Sequence, residues 1–485
     1  MSLGDGLAGA RDRDALTPGQ VLPSASEMSR SPHTASPAPP GGSPTAVGML
    51  MGALIVPGAL GISTIAIALP SLSADLSLSA PQAAWVIAAF LLAQAMFVAI
   101  FGRVGDRSGH RTIVIGGTLV VATGAVLAAS AGGFTPLIVG RALQGMGAAA
   151  LWVGAFGTIG ARFDGLDRAR AVGVMASCLG IISGAGTLIG GVLTDVGSWR
   201  LVAALPALAL IPAVPSVRLA PAAPPPGAAR RVDVVGAALV TLLASVLVLL
   251  LQTPSVDLPA HLVAALAVVA VATGGVLIRR VRSVPDGFLP ARVLRSASYR
   301  RGTVAIGSLL GAYVATLFAA PLLMLQSHDW TMTHVGLVLA PAAVVSALSA
   351  RAAGRMLGRV DPFRMAVWSC VFAVAGVLLG AVADGGPAWT SVALCLVLVG
   401  LSVGQVALLA AVPLAVDPDV RGLATGLYTL GFLLGGAIGS AAVAGLSDPL
   451  GLQGALACVA ALPLLGAVLA SASVGGRPHG ATQTA

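Results

Sequence analysis

The chain has 485 residues, of which 57% are hydrophobic and only 9% are charged, and its formal net charge is +9. A soluble globular domain carries about 25% charged residues, so this chain cannot cover a water-exposed surface of ordinary composition. The basic residues are all arginines, and they are spread over short segments between apolar runs, which argues against a nucleic-acid-binding domain. The composition therefore indicates a protein that lies in a membrane.

Residues 1–46 are rich in Pro, Ser, Ala and Gly and have no apolar period, which predicts a disordered tail. After this tail the chain alternates short polar breaks with fourteen apolar runs, each close to the 20 or so residues that a helix needs to cross a bilayer. The predicted spans are 47–69, 82–101, 112–131, 136–159, 171–193, 201–217, 234–251, 260–278, 303–325, 335–353, 365–383, 391–412, 423–446 and 452–471.

Arginine placement predicts the topology. If residues 1–46 are cytoplasmic, the breaks between spans alternate inside and outside, and the outside breaks contain a single arginine, Arg200. The inside breaks contain Arg103, Arg107, Arg111, Arg162, Arg168, Arg170, Arg218, Arg230, Arg231, the arginines of 279–301, Arg355, Arg359, Arg364 and Arg421. Cytoplasmic loops are enriched in Arg and Lys, so we expect an even number of spans in the plasma membrane with both termini cytoplasmic.

An internal repeat divides the chain. The stretch from Gly102 to Arg111 follows the second predicted span, and a similar stretch from Gly354 to Arg364 follows the tenth. We therefore expect an all-α integral membrane protein with two six-helix halves, 47–217 and 302–473. Residues 218–301 form a linker with two inserted helices, and 474–485 form a second cytoplasmic tail. Two related halves around a central cavity are typical of secondary transporters.

The first copy of this loop resembles the signature loop of the major facilitator superfamily, and the chain is most similar to its fourteen-helix drug:proton antiporter branch. The matching residues are Gly102, Gly105, Asp106, Arg107, Gly109 and Arg111. The glycines permit a tight turn and close helix approach, and Asp106 can accept hydrogen bonds or pair with arginine. The resemblance implies a latch that gates the rocking of the two halves; a loop that only sets the topology is the alternative.

Residues 137–147 resemble the helix-four motif of the same family. Arg141 falls in the outer part of the fourth span, where a cation is costly unless it faces water or a partner. Gln144 lies one turn away on the same helix face. The resemblance implies a role for Arg141 in coupling or substrate binding, and snorkelling to the outer interface is the alternative. Seven further residues are cavity candidates, although helix packing explains each of them better than contact with a ligand. They are Ser63, Gln94, Trp152, Tyr313, Gln326, Gln405 and Tyr428.

The fifth span resembles the helix-five motif that marks exporters in this family. The motif glycines are Gly180, Gly184, Gly186, Gly190 and Gly191. Pairs of glycines four residues apart permit close helix contact, and such packing is also the alternative explanation of the pattern. Thr187 stands where the family usually has proline.

Energy coupling is the point at which the sequence departs from the family. The resemblance implies proton antiport, but Gly61 replaces the usual helix-one acid and no predicted span interior contains Asp or Glu. Arg141 stays protonated and cannot substitute. A carboxylate at a span end, a substrate that carries the proton, and uncoupled transport remain as alternatives. We expect the first, with Asp195 at the outer end of helix five placed near Arg141.

The implied function is export of a small hydrophobic drug, antibiotic or natural product, with protons and membrane lipid as further partners and nucleic acid excluded. The chain lacks the clustered His, Asp, Glu or Cys residues that a membrane enzyme needs, and each of its four cysteines lies alone in an apolar run. We therefore predict no enzyme activity, no cofactor and no metal. An uncoupled facilitator or importer of a small metabolite, and a non-transporting membrane scaffold, are the alternatives.

Overall fold

The computed structural model describes residues 42–163, 165–222, 233–251, 253, 258–284, 287–289, 291–327, 330–357, 359–383, 386–416 and 421–475. Within these ranges a few side chains are not described, among them those of Arg103, Asp106 and Arg107. Residues 1–41 and 476–485, which make up most of the two predicted tails, lie outside the described residues.

Long helices make up the first part of the chain. They are α1 (Pro44–Asp75), α2 (Ala80–Ser108), α3 (His110–Ala129), α4 (Phe134–Arg162) and α5 (Gly165–Val196). A short helix α6 (Trp199–Ala204) continues through a 3-10 turn (Leu205–Ala209) into α7 (Leu210–Leu219).

The second part is also helical. The helices are α8 (Val234–Leu251), α9 (Ala260–Ser283), α10 (Ala291–Arg295), α11 (Ala297–Ser327), α12 (Met332–Leu339), α13 (Pro341–Met356), α14 (Pro362–Val382), α15 (Pro387–Ala411), α16 (Arg421–Val459) and α17 (Ala461–Ser471). Two helices within α16 join across a kink at Gly451, whose φ of 69° lies in the left-handed region that glycine adopts without strain. The two membrane-length stretches next to this kink are Ala424–Ser447 and Pro449–Ser471.

Local sequence signals explain where several helices begin. Ser79 and Gln82 form a reciprocal capping box at the start of α2. Asp361 caps α14 by accepting hydrogen bonds from the backbone N–H groups of Phe363 and Arg364. Proline occupies a first-turn position in α1, α2, α14 and α15, where its missing N–H costs nothing.

Twelve helical stretches in the described part of the chain are long and apolar enough to cross a membrane. The two other predicted spans fall on α5 and α8, whose described apolar stretches are shorter: Arg170–Leu179 and Ala185–Val196 in α5, and Ala238–Leu247 in α8. The all-helical, membrane-spanning architecture is therefore confirmed, and the count of fourteen spans stays a prediction.

Helix contacts divide most of the bundle into two groups. Helices α1 to α7 pack mainly on one another, and α11 to α17 do the same. The groups meet where α2 packs on α16 and where α5 packs on α12 and α13. Helices α8 and α9 pack together, and α8 also contacts α2 and α16.

The buried apolar residues show where the two groups join. One core runs from the second half of α1 and the first half of α2 into α11–α17. A separate core fills the other end of the first group, where residues such as Met51, Leu151 and Met175 pack together. This second end also carries Arg111 and Arg162, and we name it the Arg-rich end. The described apolar core is thus continuous between the groups towards the opposite end and separate at the Arg-rich end.

Candidate functional site

Arg141 is the centre of a buried polar site in the first helix group. It is 1% exposed, and its Nε donates a hydrogen bond of 2.9 Å to the backbone O of Val86. Its Nη1 donates to Oε1 of Gln144 at 2.6 Å, and its guanidinium carbon lies 4.6 Å from the centre of the Phe90 ring. Its Nη2 has no hydrogen-bond partner among the described residues.

Gln144 extends this site to neighbouring helices. It is fully buried, and its Nε2 donates to the backbone O of Ala203 at 2.8 Å and lies 3.5 Å from the backbone O of Gly124. A Cβ added at Gly61 would lie 3.6 Å from Nη1 of Arg141, so α1 also forms a wall of the site. Residues of α1, α2, α3, α4 and α6 therefore surround the site.

This environment differs from the snorkelling alternative for Arg141, and its role in coupling or substrate binding stays a prediction. The side chain does not snorkel to an interface, since it is almost completely buried, and no acid pairs with it among the described residues. A cation that is buried without an anion is costly, which is unusual for a residue with a purely packing role. The hydrogen bond to Gln144 is consistent with the shared helix face of the two residues.

Four of the other cavity candidates fall into two classes. Ser63 Oγ, Gln94 Oε1 and Tyr428 OH are buried polar atoms without a hydrogen-bond partner in the described part of the chain. Trp152 instead packs beside Phe156, with ring centres 5.5 Å apart, at the edge of the core at the Arg-rich end. Ser63, Gln94 and Tyr428 are therefore better candidates for contact with a bound molecule than Trp152.

The signature loop contacts the end of α7. Arg111 donates from its backbone N–H to the O of Pro221 and from Nε to the O of Val217, both at 3.0 Å. Arg162 at the end of α4 donates from Nε to the O of Leu219 at 3.0 Å. Gly109 has φ of 81°, and a Cβ there would lie 2.6 Å from the O of Ala222. Two arginines thus satisfy carbonyl groups left open at a helix C-terminus.

The other positions of the signature loop show fewer close contacts. A Cβ at Gly105 would lie 3.3 Å from the His110 ring, and one at Gly102 would meet nothing within 4 Å. The side chains of Asp106 and Arg107 lie outside the described residues. The latch role predicted for Asp106 therefore stays a prediction.

The glycines of α5 bring three helices together. A Cβ at Gly186 would overlap Oγ of Ser63, and one at Gly190 would lie 2.8 Å from the backbone of Thr64, so both face α1. The next residue, Gly191, faces α12, where a Cβ would overlap the backbone O of Met332. A Cβ at Gly336 of α12 would lie 2.6 Å from the O of Thr187. The surroundings of Gly180 and Gly184 lie outside those described.

Asp195 lies in the same junction of α5 and α12. Its carboxylate accepts hydrogen bonds from the backbone N–H groups of Met332 at 3.3 Å and Thr333 at 2.7 Å, at the first turn of α12. Acids are favourable at a helix N-terminus. The structure places Asp195 against α12, whereas the hydrogen bonds of Arg141 go to Val86 and Gln144. We name the contact of Asp195 and Gly191 with α12 the seam.

A second carboxylate site at this end was not predicted. Asp75 Oδ2 accepts hydrogen bonds from Nε1 of Trp199 at 2.9 Å and from Nη1 of Arg200 at 2.7 Å. Arg200 also stacks over the Trp199 ring at 4.3 Å and donates to the O of Ala131. The pair Trp199–Arg200 beside a helix start was the signal in the sequence, but its partner is more than a hundred residues away.

Comparisons with known proteins agree with this architecture. The sequence profile of the Major Facilitator Superfamily matches residues 49–404 and 312–484. A crystal structure of a peptide transporter, POT, aligns with a TM-score of 0.62 and 17% identity, covering 88% of this chain and 94% of that one. At this identity the likeness shows the fold alone.

Two curated relatives add sequence similarity. The tetracenomycin C resistance and export protein of Streptomyces glaucescens is 26% identical over 406 residues, which cover 82% of this chain and 74% of the relative. The methylenomycin A resistance protein of Bacillus subtilis (strain 168) is 27% identical over 327 residues, covering 65% and 69%. Since the profile matches most of the chain, this multi-pass membrane protein belongs to the Major Facilitator Superfamily.

Proposed function

We propose that this chain exports a hydrophobic drug, antibiotic or natural product across the plasma membrane. The observation that carries the proposal is the seam, where the glycine motif of α5 and the carboxylate of Asp195 join the two helix groups. The resistance and export roles named for the two relatives support the same direction of transport. A substrate site lined by few charged groups suits an apolar molecule.

We propose fourteen spans with both termini cytoplasmic, in which the two helix groups are six-span halves and α8 and α9 are an insert. The 32 residues of α5 and the 18 of α8 are long enough to complete this count. Reporter fusions after Asp106, Arg295 and Asp361 should lie inside, and fusions after Asp75, Asp257 and Asp329 outside. A reversed result at Asp257 and Arg295 would remove the insert and leave twelve spans.

The proposed transport cycle depends on the contacts between the two helix groups that must break. In this conformation the seam holds the groups together at the end opposite the arginines, and the apolar cores are separate at the Arg-rich end. We place substrate entry at the Arg-rich end, because it is the cytoplasmic end in the proposed topology and export begins there. Release on the other side requires α5 and α12 to part, and that step breaks the two hydrogen bonds to Asp195.

Proton coupling acts through the same carboxylate. Ionised Asp195 accepts two backbone N–H groups, and a protonated carboxyl group accepts them more weakly. These hydrogen bonds favour the ionised form while the seam is closed, so proton uptake from the outer side would follow opening of the seam and would oppose its re-closure during release. His334, which lies on the first turn of α12, contacts Thr331 next to this carboxylate.

Transport in proteoliposomes tests the proposal. A pH gradient, acidic on the side of the seam, should accelerate uphill movement of a hydrophobic substrate by the wild type. Asp195→Asn should abolish this drive while downhill exchange continues, because the side chain is neutral at every pH. The matched control is Asp75→Asn, which removes a carboxylate at the same end and should leave the drive intact.

An uncoupled facilitator is the second candidate, because no carboxylate lies in a predicted span interior. It predicts substrate movement that follows the concentration gradient and is indifferent to pH in the wild type. That outcome would contradict the antiporter proposal.

A further inference from the structure

The segment from the end of α9 to the start of α11 is the most basic part of the chain. Residues 279–301 contain seven arginines and one aspartate, Asp286. The side chains of Arg279, Arg282 and Arg295 are exposed, and we name these three residues the basic collar. They lie near the end of α9 and in α10, on the side that the proposed topology places in the cytoplasm.

Asp233 lies at the start of the insert, and its carboxylate accepts hydrogen bonds from groups outside the basic collar. Asp233 Oδ1 accepts from Nε of Arg280 at 2.9 Å, from Nη2 of Arg280 at 2.6 Å and from the backbone N–H of Gly236 at 2.9 Å. Its Oδ2 accepts from the backbone N–H of Phe288 at 3.0 Å. Burial alone would raise the pKa of Asp233, but these hydrogen bonds outweigh it and lower the pKa to about 2.

These hydrogen bonds of Asp233 have two effects on the basic collar. They join the start of α8, the end of α9 and the following loop, so the last turn of α9 is held in place. Asp233 also pairs with Arg280 and with no residue of the collar, so it does not neutralise the collar charges. Arg279 and Arg282 are one turn apart on α9, where like charges repel, and the residues three and four positions before Arg279 are Val276 and Gly275.

Helix α9 places the collar at a membrane boundary. It is the least buried of the twelve membrane-length stretches in the described part of the chain. Val268, Val271 and Ile278 are exposed by 67%, 77% and 56%, and such apolar side chains on a spanning helix face lipid. Since Ile278 directly precedes Arg279, the hydrocarbon region ends where the collar begins.

Helix α10 continues the same boundary. Val293 is fully buried in the core, whereas Arg295 on the same short helix is exposed. The backbone is therefore fixed to the protein by an apolar side chain while the guanidinium group points away from it. Arginine binds phosphate oxygens through two parallel hydrogen bonds and keeps its charge in a partly dehydrated site.

We propose that the basic collar binds the headgroup phosphates of anionic phospholipids in the adjacent leaflet, which is the cytoplasmic one in the proposed topology. Clustered arginines immediately beside a spanning helix recognise such headgroups. Nucleic acid and acidic proteins fit less well, because the collar adjoins exposed apolar side chains that lie in hydrocarbon. The bound lipid holds the insert against the membrane surface and relieves the repulsion between Arg279 and Arg282.

Lipid binding by the purified full-length chain tests the proposal. Native mass spectrometry and thermal unfolding in detergent compare added phosphatidylglycerol with phosphatidylcholine. The wild type should retain phosphatidylglycerol and unfold at a higher temperature with it, whereas phosphatidylcholine should do neither. The variant Arg279→Gln/Arg282→Gln/Arg295→Gln should lose affinity for phosphatidylglycerol by about tenfold or more.

The matched control removes the same number of exposed arginines elsewhere. Arg351→Gln/Arg355→Gln/Arg359→Gln alters α13 and the following loop, and it should retain phosphatidylglycerol. Equal loss in the control, full retention in the collar variant, or no lipid preference in the wild type would overturn the proposal. Equal stabilisation by millimolar inorganic phosphate would also overturn it in favour of a free-anion site. If the triple variant does not fold, Arg282→Gln and the wild-type lipid comparison decide.

Discussion

Two carboxylates at the same end of the bundle bind different kinds of partner. Asp75 accepts from Trp199 and Arg200, which belong to its own helix group. Asp195 accepts from the first turn of α12, which belongs to the other group. In a transporter that works by rocking two bodies, contacts of the first kind persist and contacts of the second kind must break. The pair thus separates contacts that hold a body together from contacts that select a conformation.

The largest effect on transport is expected at Gly191, where α5 and α12 approach most closely in the seam. Gly191→Ala places a methyl group against the backbone O of Met332, which cannot move aside as a side chain would. Overpacking of this kind costs about 1–3 kcal/mol. Because only the closed seam bears this cost, the balance of conformations should shift about tenfold or more towards separated groups.

We expect transport by Gly191→Ala, measured in proteoliposomes per folded protein, to fall by about tenfold. The control is Gly116→Ala on α3, where a Cβ meets nothing within 4 Å, and it should transport normally. Normal transport by Gly191→Ala would mean that the seam does not take part in the cycle.

The next prediction compares the substitution of two arginines, Arg141 and Arg200, which both stack on aromatic rings. Arg141 is buried without an acid, whereas Arg200 is paired with Asp75 at 2.7 Å and is partly exposed. Arg141→Met removes a costly buried charge at similar volume, so the unfolding temperature should not fall, although transport should drop by about tenfold or more. Arg200→Met should show the reverse, with a slightly lower unfolding temperature and nearly normal transport.

Thermal unfolding and transport assays on the same preparations give both readouts. Similar mild losses of transport in the two variants would contradict a functional role for Arg141. A large fall in its unfolding temperature would instead indicate that Arg141 holds the helices together.

The smallest effect concerns Asp233, a contact within the insert. Its pKa is lowered from 3.8 to about 2 in the folded protein, so its stabilising contribution is present above about pH 4 and is lost as pH falls towards 2. Asp233→Asn should lower the unfolding temperature by a few degrees at neutral pH and remove this acid dependence.

A double-mutant cycle checks whether the effect belongs to the pair. Arg280→Gln should destabilise the protein similarly, and combining it with Asp233→Asn should add little. Fully additive losses would show that the two side chains act independently.

The parts of this site that could be predicted are those set by short sequence distances. Arg141 and Gln144 are three residues apart on one helix, so their contact follows from helix geometry. Alternating apolar runs predicted the spanning helices, and arginine placement marked one end of the bundle. The seam could not be foreseen in this way, because Asp195 and Thr333 come from helices whose contact depends on the packing of the whole bundle.

The burial of Arg141 was also beyond the sequence. An arginine in the outer part of a span is compatible with a wet cavity, an interface or a closed site. Only the positions of Val86, Phe90 and Gly61 on two other helices distinguish these environments. The same limit applies to Arg111, whose acceptors on α7 lie more than a hundred residues along the chain.

The kink at Gly451 has a practical consequence for work on intact cells. The chain turns between two membrane-length helices within a few residues, and helical hydrogen bonds continue on both sides of the turn. Proteases and antibodies against linear epitopes need backbone that can be drawn out from the surface. In the proposed topology this turn faces the exterior, so cleavage or labelling there would require partial unfolding. A short inserted tag at Gly451 is therefore a sensitive reporter of whether these two helices are intact.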